Sequence, residues 1–433
     1  MKILLMSSSG EGLPIARKLR KEGMDVKVYI HLKEFNKCYR NMIPKVGIND
    51  LKDAIDWADV VIFDLVRANE HTTEDLQLLK LFGLSADTPS VFGYVADEIK
   101  KTKPVIGASA KTEEVELDRY KGEELAKQCG FDIPQSYEFN TLDEGVKFLQ
   151  QSNDMWVFKP NSNQDLDLTY VEHYEGELLN KLKNEYKKRL GNKIEYILQK
   201  KVEGILLSTE CWYNGKEFKA CNHTIEDKNF LTGDLGLAVG SMNNTVWMAN
   251  GKIAKLVRNT KDFLDKAGYI GAIDANCIVS GDKIYFLEWS MRFGYDAIFA
   301  LMALMKKPLN IFLQNNFDVP FRRGFASTIR ISIPPYPYST KDLLSIHAKN
   351  IAIDRLPKDF YPVDIWLNPE DKEFEVAGTD GIVGVLSAYG STIKESVRLL
   401  YKNVKKIEIS APLQYRTDCG VRAQNDYGSC KYL

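Results

Sequence analysis

Short apolar runs and amphipathic stretches alternate through the first 105 residues of the chain. Runs over 2–6, 25–30, 60–64 and 91–95 read as buried strands, and stretches over 14–22 and 73–82 read as helices. That alternation predicts a parallel α/β unit, because each crossover between parallel strands is made by a helix. A helix over 114–128 follows, closed by Gly130 and Pro134. Residues 135–205 read as a small α+β unit, with strands over 155–160 and 196–201 and a charged helix over 176–190. Strands over 208–213 and 217–223 come next, and a helix with its exit lies between Pro308 and Pro320. The texture changes at Arg322-Arg323-Gly324-Phe325. Beyond it stand β-like runs over 326–333, 363–368 and 381–388, a helix over 393–404 and a polar tail. The last domain boundary is expected near residue 321.

One stretch carries polar residues at every second position of a predicted hairpin: Asp274 and Asn276 on one arm, Glu288, Ser290 and Arg292 on the other. Side chains two apart on a strand point to one face. Oxygen donors of this kind suit Mg²⁺, which usually arrives with substrate phosphates. The planar fork of Arg292 suits a phosphate or acyl-phosphate. The alternative is a half-buried hairpin whose polar face is solvated. Register decides between them. If Asp274 lies opposite Glu288, the connection holds three or five residues, most simply Ser280-Gly281-Asp282, or the ladder holds a bulge. A two-residue Gly281-Asp282 turn would send the carboxylates to opposite faces.

The 433 residues suggest two to four domains. A net charge of −1 gives no global pull towards nucleic acid or an anionic membrane. No apolar run approaches the ~20 residues that span a bilayer. The opening Met1–Met6 run is read as a first strand and not as a signal segment. Seven scattered cysteines without a Cys-x-x-Cys pair, and five dispersed histidines, argue against disulfide frameworks and zinc sites. They fit a reducing, cytoplasmic location.

Four further segments carry candidate chemistry. The first predicted strand runs into Ser7-Ser8-Ser9-Gly10-Glu11-Gly12, with Pro14 at a helix start. Gly10 and Gly12 are either turn residues or part of an anion-binding loop at a helix N-terminus. Lys159 stands in the apolar run Trp156-Val157-Phe158-Lys159-Pro160 and needs a partner, either a nucleotide phosphate or a structural carboxylate. The strand Tyr196 to Gln199 turns polar at Lys200-Lys201-Val202-Glu203-Gly204, an edge that could read adenine through backbone groups. Residues 223–242 read as a long Gly-bearing loop with Glu226, Lys228, Asp234, Gly236, Gly240 and Met242. Long ordered loops in compact domains are usually functional.

In this order the motifs resemble those of the ATP-grasp ligases, and most of all the phosphoribosylamine–glycine ligases of purine synthesis. The run Tyr415-Arg416-Thr417-Asp418-Cys419-Gly420-Val421-Arg422 also resembles that family's closing segment. The resemblance implies an α/β chain with a Rossmann-like pre-ATP-grasp domain over 1–107 and a mostly-β C-terminal domain over 322–433. Between them it implies an ATP-grasp domain over 108–321 made of two α+β subdomains, with a lid at about 137–203. It makes Lys159 the phosphate-binding lysine and places Gln199, Lys200 and Val202 at the adenine hinge. Leu206 aligns with the usual ribose acid, which leaves Glu203 and Glu210 as the two candidates to replace it. Asp274, Glu288 and Ser290 fall on the metal ligands, Ser290 where the family has Asn, and Arg292 on the arginine that steadies phosphate. Gly10, Gly12, Lys228, Asp234, Gly236, Gly240 and Met242 fall on substrate segments.

Two departures stand out. Leu237, Ala238 and Val239 replace the family's Pro-Asn-Thr core, and the lid over 161–169 has no glycine. The second nucleotide lysine has only Arg119 or Lys121 as candidates. The activity implied is ligation of an amino acid such as glycine to a phosphorylated or nucleotide-like amine through an acyl-phosphate, with ATP and Mg²⁺ or Mn²⁺. The partners are then small molecules, with no nucleic acid or membrane, and the protein is a monomer or homodimer. The rivals are an ATP-grasp ligase of another pathway and a non-catalytic nucleotide-binding module.

Overall fold

Five parallel strands are laid down first: β1 (Lys2–Ser7), β2 (Asp25–Ile30), β3 (Lys45–Val46), β4 (Val60–Phe63) and β5 (Val105–Ile106), in the order β3-β2-β1-β4-β5. β1 is apolar on both faces and buried after its first residue, as a central parallel strand covered by helices requires. The helix Leu13–Lys21 begins with a proline in its first turn, and Thr73–Leu81 begins with a Thr72–Asp75 capping box. The strand expected over 91–95 is instead the helix Val91–Ile99. Its buried residues Val91, Phe92, Val95, Ala96 and Ile99 form a helical stripe that a five-residue window does not resolve. β5 takes the fifth place in the sheet.

The computed structural model describes residues 1–160 and 169–430, so the lid segment over 161–168 lies outside the described residues. The chain divides into two compact units, and unit 2 combines Glu114–Leu206 with Asn276–Trp289. Within unit 2, Asp118 caps the helix Arg119–Cys129, which Gly130 ends in the left-handed conformation. β6 (Ser136–Thr141), β7 (Trp156–Pro160), β8 (Tyr170–Val171) and β9 (Lys193–Lys200) pair in the order β6-β9-β7-β8. Their core is aromatic, with Phe158 between Tyr186 and Tyr196 at 5.0 and 4.7 Å. Trp289 packs on Phe131 and Phe286, and its Nε1 donates to Gly122 O at 2.9 Å.

Unit 1 holds the N-terminal sheet and a long antiparallel sheet. That sheet includes β10 (Ile205–Tyr213), β11 (Phe218–Leu231), β12 (Leu235–Met248) and the first half of β13 (Gly271–Ser280). β14 (Lys283–Ser290) follows β13, and β15 (Phe325–Ser332) pairs with β12. A second small sheet is built from β16 (Ala352–Arg355), β18 (Ile365–Leu367), β19 (Phe374–Val376) and β21 (Glu408–Ile409). β17 (Phe360–Pro362) and β20 (Ile382–Gly390) extend the long sheet beyond β15.

Three further expectations are corrected in unit 1. The segment read as a long loop is the paired end of β11 and β12, with Asn229 opposite Ala238, Leu231 opposite Leu235 and a turn at Thr232–Asp234. Leu235, Leu237 and Val239 alternate with small residues, which is a strand period. Cys211 and Cys221 face each other across β10 and β11 with 4.1 Å between Cα atoms and are bonded, where no disulfide was expected. The polar tail folds into the helix Val421–Cys430, which buries Ala423 and Cys430.

Candidate active site

In unit 1, Asp274 lies on β13 beside β10 and is 6% exposed. Ser208 Oγ approaches both of its carboxylate oxygens at 2.6 Å. Burial pushes the Asp274 carboxyl up to about 7; Ser208 opposes that, Glu226 adds to it, and Lys228 and Arg292 oppose it. Glu210, one strand away, is pushed up to about 8, first by burial and then by the Asp274 charge. Its oxygens accept from Trp212 Nε1 at 2.8 Å and the Gly294 amide at 2.9 Å. Both carboxylates have partners inside unit 1, and Glu210, one of the two candidates for the ribose acid, is buried there. Arg292 is half-buried and Lys228 sits 3.5 Å from Glu226. Ser290 is buried at the end of β14.

Unit 2 gathers a second group. Lys159 on β7 stands opposite Ile197 of β9, two residue pairs along from Val157 and Gln199. The Gln199 amide donates to Glu123 Oε1 at 3.3 Å. Burial raises the Glu123 carboxyl, with Lys159 foremost among the cations that oppose it. Arg119 donates from Nε to Pro160 O at 3.3 Å. Burial lowers its pKa, and Glu288 then Glu123 pull it back up. Arg119 and Lys159 are thus cations of one cluster, whereas Lys121 is exposed and paired with Glu114. Glu123 was not singled out from sequence. Its signal was only its place four residues after Arg119, on the same helix face. At the hinge, the Lys200 amide donates to Gln135 O and the Lys201 amide to Met155 O. The Lys200 ammonium holds Asp154 at 2.8 Å. Val202 and Glu203 follow the end of β9, and Glu203 is exposed.

The β13–β14 arms are joined by two residues, Gly281 and Asp282, with Gly281 at φ +63°. The expected three- or five-residue connection is therefore corrected. A regular ladder would send Asp274 and Glu288 to opposite faces, and only a bulge returns them to one. Glu288 is exposed and Asn276 buried. Among the described residues no cluster of three or more His, Cys, Asp or Glu forms a metal cage. A sparse set of carboxylate, hydroxyl and amide oxygens fits Mg²⁺, which keeps waters and phosphate oxygens and takes only one or two carboxylates from the protein.

Of the expected substrate residues, Asp234 has partners within the chain, Arg416 Nη1 at 3.0 Å and Arg422. Met242 is fully buried, while Gly236 and Gly240 are exposed on β12 with positive φ. In the N-terminal loop, Asp64 accepts from the Ser7 hydroxyl, from the Ser8 amide at 3.2 Å and from the Gly12 amide at 2.8 Å. Amides that could have met an external anion thus serve an internal carboxylate. Gly12 leaves room for that group: a Cβ there would meet Asp64 Oδ2 at 2.8 Å. Gly10 turns the loop at φ +101°.

No family model matches the chain. It is 23% identical over 381 residues to a phosphoribosylamine–glycine ligase of Helicobacter pylori, spanning 82% of this chain and 85% of the relative. Among solved structures it superposes on the phosphoribosylamine–glycine ligase of Thermotoga maritima with a TM-score of 0.68 and 17% identity, covering 97% of this chain and 100% of that one. The biotin carboxylase of Campylobacter jejuni, solved as a β-γ-ATP complex, gives a TM-score of 0.60 at 12% identity over 94% and 92%. The N5-carboxyaminoimidazole ribonucleotide synthetase of Thermotoga maritima gives 0.54 at 14% over 95% and 99%. The fold is that of the ATP-grasp enzymes, and the chain resembles phosphoribosylamine–glycine ligases within them.

Proposed function

We propose that the protein is an ATP-dependent carboxylate–amine ligase acting through an acyl-phosphate. The observation that carries this reading is the end-to-end likeness to phosphoribosylamine–glycine ligases, in which no domain of the solved relative is left over. In this reading the chain has three domains, over 1–107, 108–321 and 322–433, and works in the cytoplasm as a monomer or homodimer.

Lys159, joined by Arg119, neutralises nucleotide phosphate oxygens, while Gln199, Lys200 and Val202 hold adenine and Glu203 faces the ribose. Asp274, Glu288 and Ser290 offer oxygens to Mg²⁺ or Mn²⁺, which when bound screens phosphate charge. Arg292 and Lys228 place positive charge where the substrate carboxylate and its acyl-phosphate develop negative charge. Catalysis on these terms is positioning and charge neutralisation.

Glycine and phosphoribosylamine are the first substrates to assay, by ADP release. ADP formation that needs both supports the full assignment; turnover with other pairs keeps the ligase class and removes these substrates. A specific observation favours an acceptor without a phosphate at the N-terminal loop. Asp64 occupies the Ser8 and Gly12 amides there, and Glu11 adds a second carboxylate. Carboxylates suit an amine or hydroxyl better than a phosphate. A panel of amines with and without phosphate separates the two readings.

A further inference from the structure

Unit 1 contains a cavity of about 550 Å³ between the start of β11, the end of β12 and the 321–325 segment. It takes Lys219 to Cys221 of β11, whereas Glu226 and Lys228 lie further along the same strand. At about 3.3 Å per residue, Cys221 and Glu226 are roughly 17 Å apart. The cavity lining takes in none of Asp274, Ser208, Glu210, Glu226, Lys228 and Arg292, although Glu210 pairs with Asn222, next to the Cys221 wall. Its volume is in the usual range for a small-ligand site, about 300–1,000 Å³.

Its lining is basic and aromatic. Lys219, Arg258, Arg322 and Arg323 contribute to it, and no carboxylate does. Lys219 already pairs with Glu217 at 2.7 Å and Asp318 at 3.2 Å, so the uncommitted charge belongs to the arginines. Arg258 ends the helix Lys252–Arg258, and its Nε is buried without a hydrogen-bond partner. A buried guanidinium N–H left unpaired is costly and calls for an acceptor. Arg322 lies over the Tyr389 ring at 5.1 Å, and Arg323 is exposed at the rim. On another wall Tyr427 meets Trp247 and Phe325 edge-on at 5.3 and 4.8 Å. Guanidinium forks match phosphate oxygens, and aromatic walls match a flat ring.

We infer that this cavity is a second binding site, for a phosphorylated small molecule with a planar ring, of the nucleotide class. Arg258 and Arg323 take the phosphate, while Trp247, Phe325 and Tyr427 take the ring. The site stands on its own residues and holds whether or not the ligase reading does.

The test is calorimetric titration of the full chain with AMP, GMP, CMP and UMP, and with inorganic phosphate as a separate arm. It is run on the wild type, on Arg258→Gln/Arg323→Gln and on Lys159→Ala. At least one nucleotide should bind the wild type, bind about tenfold or more weakly to the arginine variant, and bind Lys159→Ala unchanged. Three results overturn the proposal: no nucleotide binding at millimolar concentration; binding lost in Lys159→Ala but kept in the arginine variant; and inorganic phosphate binding as tightly as any nucleotide. If the double variant does not fold, Arg323→Gln and Tyr427→Ala carry the same comparison. Arg323 is exposed, and Tyr427 lies on the C-terminal helix.

Discussion

Glu288 and Asp274 carry the same expected role in opposite surroundings. Glu288 is exposed, so its removal touches no core. Glu288→Ala should abolish Mg·ATP-dependent ADP release and leave the urea unfolding midpoint within about 0.5 kcal/mol of wild type. Undiminished turnover in that variant sinks the metal assignment. Asp274 is buried and fixed by Ser208, so a change there alters folding as well as chemistry. His223 gives a pH signature of its own. Its ring sits against Trp247, with Nδ1 2.8 Å from Thr209 Oγ1, and burial pushes it down to about 4. A free histidine titrates near 6.5. Between those values the unfolded chain binds the extra proton, so the His223 contribution is intact above about pH 6.5 and is lost as pH falls towards 4. The loss is on the order of 3 kcal/mol. Asp64 and Glu210 titrate with the opposite sign, since burial raises them to about 7 and 8 and their contribution falls as pH rises. The readout is therefore the difference between wild type and His223→Gln at pH 7 and 4.5, which should shrink on acidification. At this scale the strand that carries Lys159 was legible, because a lysine inside an apolar run stands out. The partners of Glu210 were not legible, because nothing in the chain says that Trp212 and the Gly294 amide reach its oxygens.

The β11–β12 ribbon shows what elements add. Its tip is held from the far end of the sequence. Arg416, 2% exposed, donates to Asp418, to Asp234 and to Asn229 O. Arg422 reaches Asp227, Asp234 and Glu226 O. Removing one partner of a buried, hydrogen-bonded charge network leaves the others uncompensated. Arg416→Ala should cost about 3 kcal/mol in urea unfolding and speed hydrogen exchange over residues 229–236. Arg416→Lys should not restore it, since an ammonium lacks the two-pronged fork. Equal stability and unchanged exchange would count against the clamp. The same ribbon explains a misreading. Glycines 233, 236 and 240 suggested a loop, but the period-two spacing of Leu235, Leu237 and Val239 was the stronger signal. The helix Val91–Ile99 failed for the converse reason, a true 3.6-residue stripe cut too short to be recognised.

For the whole molecule, the order of motifs was more readable than any one of them. Parallel strands, a lysine-bearing strand, a hinge and an acidic hairpin follow one another as in the ATP-grasp ligases, and that order survived the errors in single elements. What sequence could not supply was long-range pairing: Asp64 with the Gly12 amide, Gln199 with Glu123, and Asp234 with two arginines nearly two hundred positions away. Those arginines also give the molecule a test of completeness. They leave the ribosome after every strand they secure, so a chain released before Arg416 has made the whole ribbon but cannot fasten it. Asp227 and Asp234, which repel each other, then lie without their cations, and proteases meet an opened end where the finished protein offers a closed one.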